Sequence, residues 1–287
     1  MSIPGLESTE LRSIHAWSSD RVVVATAGQP AVIYQSRDAG KSWNKTYEIQ
    51  SPQGFIDGLR FDEELFGLAF SDPVDGQLLV LKSEDGGDRW QPIEASKLPA
   101  IEAGEAGFAA SNSSLLVLGN SAWIGLGGGE AGPSHIFRTA DRGATWQVHE
   151  VSFLRRAPSA GIFSVSIDAE GRGLVVGGDY QKESSAENNI ALTDDGGKRW
   201  RTPQRNHPGG FRSCAIWVPL NQSPTRRLWL ACGPNGCDGS FDREYWFPIS
   251  QEGFHAMFPA KDGTVWACGS QGRIARLNTE RLPGKEP

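Results

Sequence analysis

SRDAGKSW occupies Ser36–Trp43, and the chain repeats nearly the same phrase three times: SEDGGDRW at 83–90, TADRGATW at 139–146 and TDDGGKRW at 193–200. A shortened copy without the glycine, SFDREYW, covers 240–246. A catalytic site normally occurs once in a chain, whereas a phrase repeated at near-regular intervals marks architecture. The closing tryptophans, Trp43, Trp90, Trp146, Trp200 and Trp246, stand 47, 56, 54 and 46 residues apart. That interval belongs to solenoids and propellers.

Upstream of the motifs lie apolar runs closed by small residues, among them RVVVATAG (21–28), LFGLAFSD (65–72), RGLVVGGD (172–179) and RLWLACG (227–233). Each reads as a buried strand. Another strand precedes each run, a third leads into the motif, and a fourth leaves from its tryptophan. Radial repetition of such four-stranded antiparallel sheets leaves only short, protected edges. The expected fold is therefore all-β: a six-bladed β-propeller in a single domain over 1–287, with units near 10–50, 55–95, 104–152, 159–204, 210–250 and 253–280. A seventh, degenerate unit has room in 91–120 or 147–160. The last unit shows three strands and no motif, so a segment around Gly5–Glu10 is expected to add its fourth strand and close the ring.

Within the motif, Asp38, Asp85, Asp141 and Asp195 can accept backbone N–H bonds two or three residues ahead. Gly40, Gly87, Gly143 and Gly197 allow positive φ. Ser36, Ser83, Thr139 and Thr193 can bond across the turn, and each tryptophan can bury on the order of 200 Å². A calcium loop of the EF-hand type needs further oxygen ligands and a late glutamate, which the repeats lack. The motif reads as a structural clamp, and no metal or cofactor is expected.

With 35 Gly, 17 Pro and 10 Trp among 287 residues, composition favours short strands and tight turns. A net charge of −6 gives no electrostatic case for nucleic acid. No apolar run approaches the roughly 18 residues of a membrane span, and MSIPGLESTELRSIH has no signal-peptide pattern. None of Cys214, Cys232, Cys237 and Cys268 forms a CxxC pair. A hairpin register summing to 446 would set Cys214 opposite Cys232, as a disulfide or as two buried thiols.

The motif is similar to the Asp-box (BNR repeat) of sialidases, sortilin-type receptors and photosystem II stability/assembly factor-like propellers. Over about 10–278 the chain resembles the last group, in its non-photosynthetic bacterial branch. GLAFSDPVDG (67–76), SAGIFSV (159–165), VVGGDY (175–180), ALTDDGGKRW (191–200) and QGRIARL (271–277) carry the likeness. The resemblance implies a propeller that handles another protein, and relatives of this kind are seven-bladed and usually exported, which implies a periplasmic or extracellular setting.

Ligands in propellers favour the face where inner strands begin. The repeat places Arg12, Asp57, Glu105, Arg212 and His255 there, and the loops after second strands add Asp72, Asp179 and Tyr180. Mixed charges around a channel suit a small ligand or a protein surface. A sialidase-like enzyme would need an arginine trio, a Tyr–Glu pair and an acidic Asp. The Phe/Tyr-Arg-Ile-Pro signature of that family does not occur, and Arg138 in IFRTADRG falls on a strand leading into a motif. The expectation is a monomeric binding or assembly scaffold for another protein. The alternative is an enzyme processing a glycan or small anion at the channel mouth, marked by a tight cluster of Asp57, Asp179, Arg212 and His255 with one strongly shifted carboxylate.

Overall fold

A computed structural model of the chain describes residues 3–62, 65–220, 223–260, 262–278 and 282. Antiparallel sheets account for nearly all of its regular structure, arranged as a six-bladed propeller. Blade one is β1 (Leu11–Ala16), β2 (Val22–Thr26), β3 (Val32–Ser36) and β4 (Asn44–Glu48). Blade two is β5 (Ile56–Phe61), β6 (Gly67–Val74), β7 (Gln77–Ser83) and β8 (Gln91–Pro92). A short strand, β9 (Glu105–Ala106), precedes blade three, whose strands are β10 (Leu115–Leu118), β11 (Ser121–Gly125), β13 (Gly132–Thr139) and β14 (Gln147–Arg156). Between them, β12 (Gly127–Gly128) joins β9 to the inner edge of blade four.

Blade four is β15 (Ala160–Ile167), β16 (Gly173–Asp179) and β17 (Ile190–Thr193). Its fourth position is held by a single bridge, Leu192 to Arg201. Blade five is β18 (Cys214–Leu220), β19 (Ser223–Gly233), β20 (Gly236–Ser240) and β21 (Phe247–Ser250). Blade six has β22 (Ala256–Pro259), β23 (Val265–Cys268) and β24 (Ile274–Arg276), with no fourth strand among the described residues. No helix among those residues is long and apolar enough to cross a membrane.

The motifs show why the blades repeat. In each of the four full copies the Ser or Thr hydroxyl accepts the N–H of the motif glycine, at 2.8 Å in Ser36–Gly40 and Ser83–Gly87, 3.0 Å in Thr139–Gly143 and 2.9 Å in Thr193–Gly197. The same hydroxyl donates to the aspartate. That aspartate accepts the N–H four residues on, from Ser42, Arg89, Thr145 and Arg199, and Asp195 also accepts the N–H three residues on, from Lys198, at the spacing expected. The bonds to Ser42 hold the Asp38 carboxyl down at about 2. Burial opposes the same effect at Asp195, yet the bonds from Arg199 still bring it to about 2. Two successive residues take positive φ: 61° and 78° at Ala39–Gly40, 56° and 80° at Arg142–Gly143. The shortened copy makes its turn with Arg243 at φ 68°, and Trp246 is still buried.

Alternation along the strands gives each blade two apolar faces. Val23 and Ile33 of blade one meet Leu59, Leu81 and Trp90 of blade two. Phe70 and Val80 of blade two meet Ile124, Phe137 and Trp146 of blade three. Trp200 packs on the cluster joining blades three and four, and Trp246 lies in that joining four and five. Each of these tryptophans thus wedges its own blade against the preceding one. Blades five and six share Leu228, Leu230, Met257 and Val265, with no motif tryptophan among them.

The N-terminal segment behaves differently from expectation. Residues Gly5–Glu10 run through turns, with Leu6 N–H bonded to Ile3 and Thr9 N–H to Leu6, and form no strand beside β24. Ile3 and Leu6 instead cover the other face of blade one, against Val24, Val32 and Trp43. Among the described residues no core cluster bridges blade six to blade one.

The register of blade five sets Cys214 opposite Cys232. The disulfide nevertheless joins Cys232 to Cys237, leaving Cys214 a buried free thiol and Cys268 an exposed one. The two-residue turn at Pro234–Asn235 pairs Gly233 with Gly236 and so brings Cys237 beside Cys232 as well. Outside the motifs, Trp123 and Trp229 are buried, while Trp266 is 47% exposed on blade six.

Candidate functional site: the acidic recess between blades two and three

Inner strands begin with an extra residue. Arg12 falls in a register shift between Leu11 and Ser13, Asp57 between Ile56 and Gly58, and Phe163 between Ile162 and Ser164. A bulge turns the inserted residue out of the ladder and re-aims its side chain, here at the same end of three blades. Phe163 occupies in IFSVSI the place that Asp57 takes in FIDGLRF, so aligning the repeats would have found it.

Asp57 is almost wholly buried and stands against Asp72, at the end of β6. Burial, and then the charge of Asp72, push the Asp57 carboxyl well above the ordinary carboxylate range. Burial also raises Asp72, opposed by hydrogen bonds from Asp57 and from the Gly107 N–H. Asp57 Oδ2 and Asp72 Oδ1 have no other donor among the described residues. Two carboxyls can hydrogen-bond to each other only if one carries a proton, and the deeper Asp57 is the one that keeps it. Gly107 lies flush against the pair, and a methyl group there would come within 2.7 Å of Asp57 Cγ.

Asp72 opens into a recess of about 400 Å³ that is also lined by Gln53, Glu102, Gly104 and Glu105. Glu105, fully buried, holds His135 Nδ1 at 2.7 Å and accepts the Glu102 N–H at 3.0 Å. This contact raises the His135 pKa. Behind it, Arg156 donates to the Pro133 carbonyl at 3.0 Å and lies 3.8 Å from Glu102. Neither His135 nor Arg156 lines the recess, whereas the carboxylates Asp72, Glu102 and Glu105 do.

The remaining expected residues are tied up elsewhere. Arg212 reaches Asp238 at 2.8 and 2.5 Å and Asn235 at 2.7 Å. Asp179 accepts from Ser159 at 2.7 Å and lies 3.4 Å from Lys182. His255 pairs with Ser270 at 2.8 Å, and Arg12 with Glu10 at 2.5 Å. Tyr180 rests edge-on against Phe108 and Phe163, at 6.4 and 6.2 Å. Among the described residues, the groups expected as the mark of the enzyme alternative bond to other partners rather than to one another: Asp179 to Ser159, Arg212 to Asp238 and His255 to Ser270. Among the described residues no three His, Cys, Asp or Glu side chains converge to hold a metal ion.

Below the mouth, side chains cross the axis. Asn112 accepts the Leu59 N–H at 2.8 Å and donates to the Ile14 carbonyl at 3.0 Å, linking blades three, two and one. Ser111 donates to the Ser213 carbonyl at 2.7 Å, from blade three to blade five. Ser113 and Ser164 lie 2.7 Å apart, and the Arg60 guanidinium stands 5.9 Å from the Phe258 ring centre.

No protein-family model matches the chain, and no curated protein matches it. Solved structures do. A structure described as YCF48 bound to D1 peptide is similar with a TM-score of 0.60 at 18% identity, over 96% of this chain and 80% of that one. An α-L-arabinanase of Penicillium chrysogenum, complexed with arabinobiose, gives 0.52 at 15% identity over 94% of this chain and 93% of the other. A Trypanosoma rangeli sialidase in complex with 2,3-difluorosialic acid gives 0.51 at 15%, over 86% of this chain and 49% of its own. At these identities the likeness is one of fold. It spans a peptide-bound propeller and two glycosidase propellers, and fold alone does not choose between such functions.

Proposed function

We propose that the chain is a non-catalytic binding scaffold for another protein, of the photosystem II assembly factor-like, Asp-box kind, and that the recess between blades two and three receives a basic group of the partner. The observation behind this reading is the sign and shape of the recess. Asp72 and Glu102 line one concavity with the buried Glu105, and among the described residues no Lys or Arg lines it. A lysine or arginine side chain entering there would meet charge-assisted acceptors already in place. The solved complex of YCF48 with a D1 peptide supports a peptide or protein partner for this chain by analogy of fold.

The test is fluorescence-anisotropy titration of lysine-rich, neutral and acidic peptides of equal length against the wild type and an Asp72→Asn/Glu102→Gln variant. The scaffold reading expects binding only by the basic peptide, weakened about tenfold or more in the variant. Charge-blind binding, or none, would sink it.

The paired carboxyls of Asp57 and Asp72, with Asp57 pushed well above the ordinary carboxylate range by burial and by Asp72, favour a second reading, an acid catalyst acting on a neutral glycan. Retaining and inverting glycosidases hold their carboxyls about 5 Å or more apart, whereas these two share a hydrogen bond. Hydrolysis of arabino-oligosaccharides that disappears in Asp57→Asn would establish that reading instead.

A further inference from the structure

Blade five carries three cysteines on three consecutive strands. Cys214 on β18 stands opposite Cys232 on β19, and Cys232 stands opposite Cys237 on β20. Residues opposite each other in an antiparallel sheet point to the same face, so the three side chains form one row across the blade. All three belong to the apolar cluster that packs blade five on blade six. The disulfide joins Cys232 to Cys237, with Cα atoms 4.2 Å apart, and Cys214 keeps a free thiol. Opposed Cα atoms in an antiparallel pair lie about 4.5–5.5 Å apart, inside the span that a disulfide bridges. Cys214 is therefore placed to bond the same sulfur that Cys237 now holds.

The order along the row matters chemically. In thiol–disulfide exchange a thiolate attacks one sulfur of the bond from the side opposite the leaving sulfur. Here the central strand carries Cys232, with the free thiol on the inner strand beside it and Cys237 on the strand beyond. Cys214 Sγ is fully buried and accepts the Met257 N–H at 3.3 Å, with the Ser113 hydroxyl 3.7 Å away. Burial raises the Cys214 thiol, and it outweighs these two donors, the Arg60 guanidinium on β5 and Ser111, all of which favour the thiolate.

We propose that blade five is a disulfide-exchange site in which the Cys214 thiolate attacks Cys232 Sγ, the Cys232–Cys237 bond breaks, and Cys237 leaves as a thiolate. One S–S bond forms as another breaks, the proton given up by Cys214 ends on Cys237, and no oxidant or reductant is consumed. The exchange moves the covalent tie from the outer hairpin, β19–β20, to the inner hairpin, β18–β19. It fixes the innermost strand of the blade and frees β20. Only the thiolate attacks, so burial of Cys214 holds the exchange slow at neutral pH, and the rate climbs as pH rises toward the raised pKa. The site is independent of the recess between blades two and three.

The test is a disulfide map of the full chain purified without reductant. Samples held at about pH 7, 8 and 9 are quenched in acid, which removes the thiolate, and cleaved with pepsin for mass spectrometry without reduction. A Cys214–Cys232 linkage should accumulate beside Cys232–Cys237, at a rate that rises about tenfold per pH unit over that range. Cys214→Ser should keep the Cys232–Cys237 linkage alone at every pH. In Cys237→Ser, oxidised glutathione should join Cys214 to Cys232, a check on the row that needs no substitution at the buried thiol. Absence of the Cys214–Cys232 linkage from the wild type after about a day at about pH 9 would overturn the proposal, since uncatalysed rearrangement takes minutes to hours. So would its failure to form in Cys237→Ser, or its appearance only together with linkages to Cys268, the mark of scrambling through the unfolded chain.

Discussion

Two junctions of the same ring make opposite use of the same repeat. Between blades two and three, Phe70, Val80, Ile124 and Phe137 are all but fully buried and Trp146 closes the outer end. Around blade six, one face borders a cavity, and the other leaves Phe258 56%, Trp266 47% and Ile274 71% exposed. Strand alternation is equally regular in both places. The difference is that a motif and an outgoing strand exist at one junction, whereas among the described residues neither exists at the other. Apolar faces in a propeller are thus made by each blade alone but buried only in pairs, and the motif tryptophan is what makes each pair fit.

The largest expected effect tests that statement directly. Trp90→Ala removes a wedge from a closed junction and should cost about 3–5 kcal/mol in denaturant unfolding. The same substitution at Trp266, on the open side of blade six, should stay within about 0.5 kcal/mol. Equal costs at the two positions would mean that blade six is covered in solution.

Acid should open the junction of blades one and two next. His15 packs against Trp17 and Phe61 at 4.6 and 5.3 Å. Burial, then Arg60 and Arg21, lower its pKa to about 4. Between pH 6.5 and 4 the unfolded chain gains a proton that the folded chain refuses, so stability falls as pH falls through that window. The loss is on the order of 3 kcal/mol relative to a His15→Asn variant, whose unfolding curves over the same pH range give the comparison.

A smaller effect separates the turn from the wedge. Thr193→Ala deletes the acceptor of the Gly197 N–H and the donor to Asp195. It should cost about 1–2 kcal/mol, well below the loss of a motif tryptophan. A cost matching Trp90→Ala would make the turn, rather than the ring, the element that holds adjoining blades together.

Much of this molecule is legible in one dimension. The tryptophan spacing yields the blades because a wedge must recur wherever two sheets pack. The register sum correctly faces Cys214 with Cys232. It cannot say which neighbour Cys232 bonds, because β19 lies between two strands and the Pro234–Asn235 turn brings Cys237 equally to its side. The site was legible only as a ring of positions. Asp57 and Asp72 were both named, but their shared proton depends on a bulge and on the close approach of Gly107 from outside blade two. His135, Asn112, Ser111 and Asp238 were not anticipated, since a His, Asn, Ser or Asp on a strand gives no sign of the blade it will touch.

Sequence alone determined the all-β class, the number of blades and the motif turns, because each depends on local alternation and on spacing along the chain. Tertiary structure decided which polar side chains meet across the axis, which cysteine is bonded, and that Ile3 and Leu6 cover blade one rather than extend blade six. Those outcomes depend on distances between blades, and such distances are fixed only when the sheets pack.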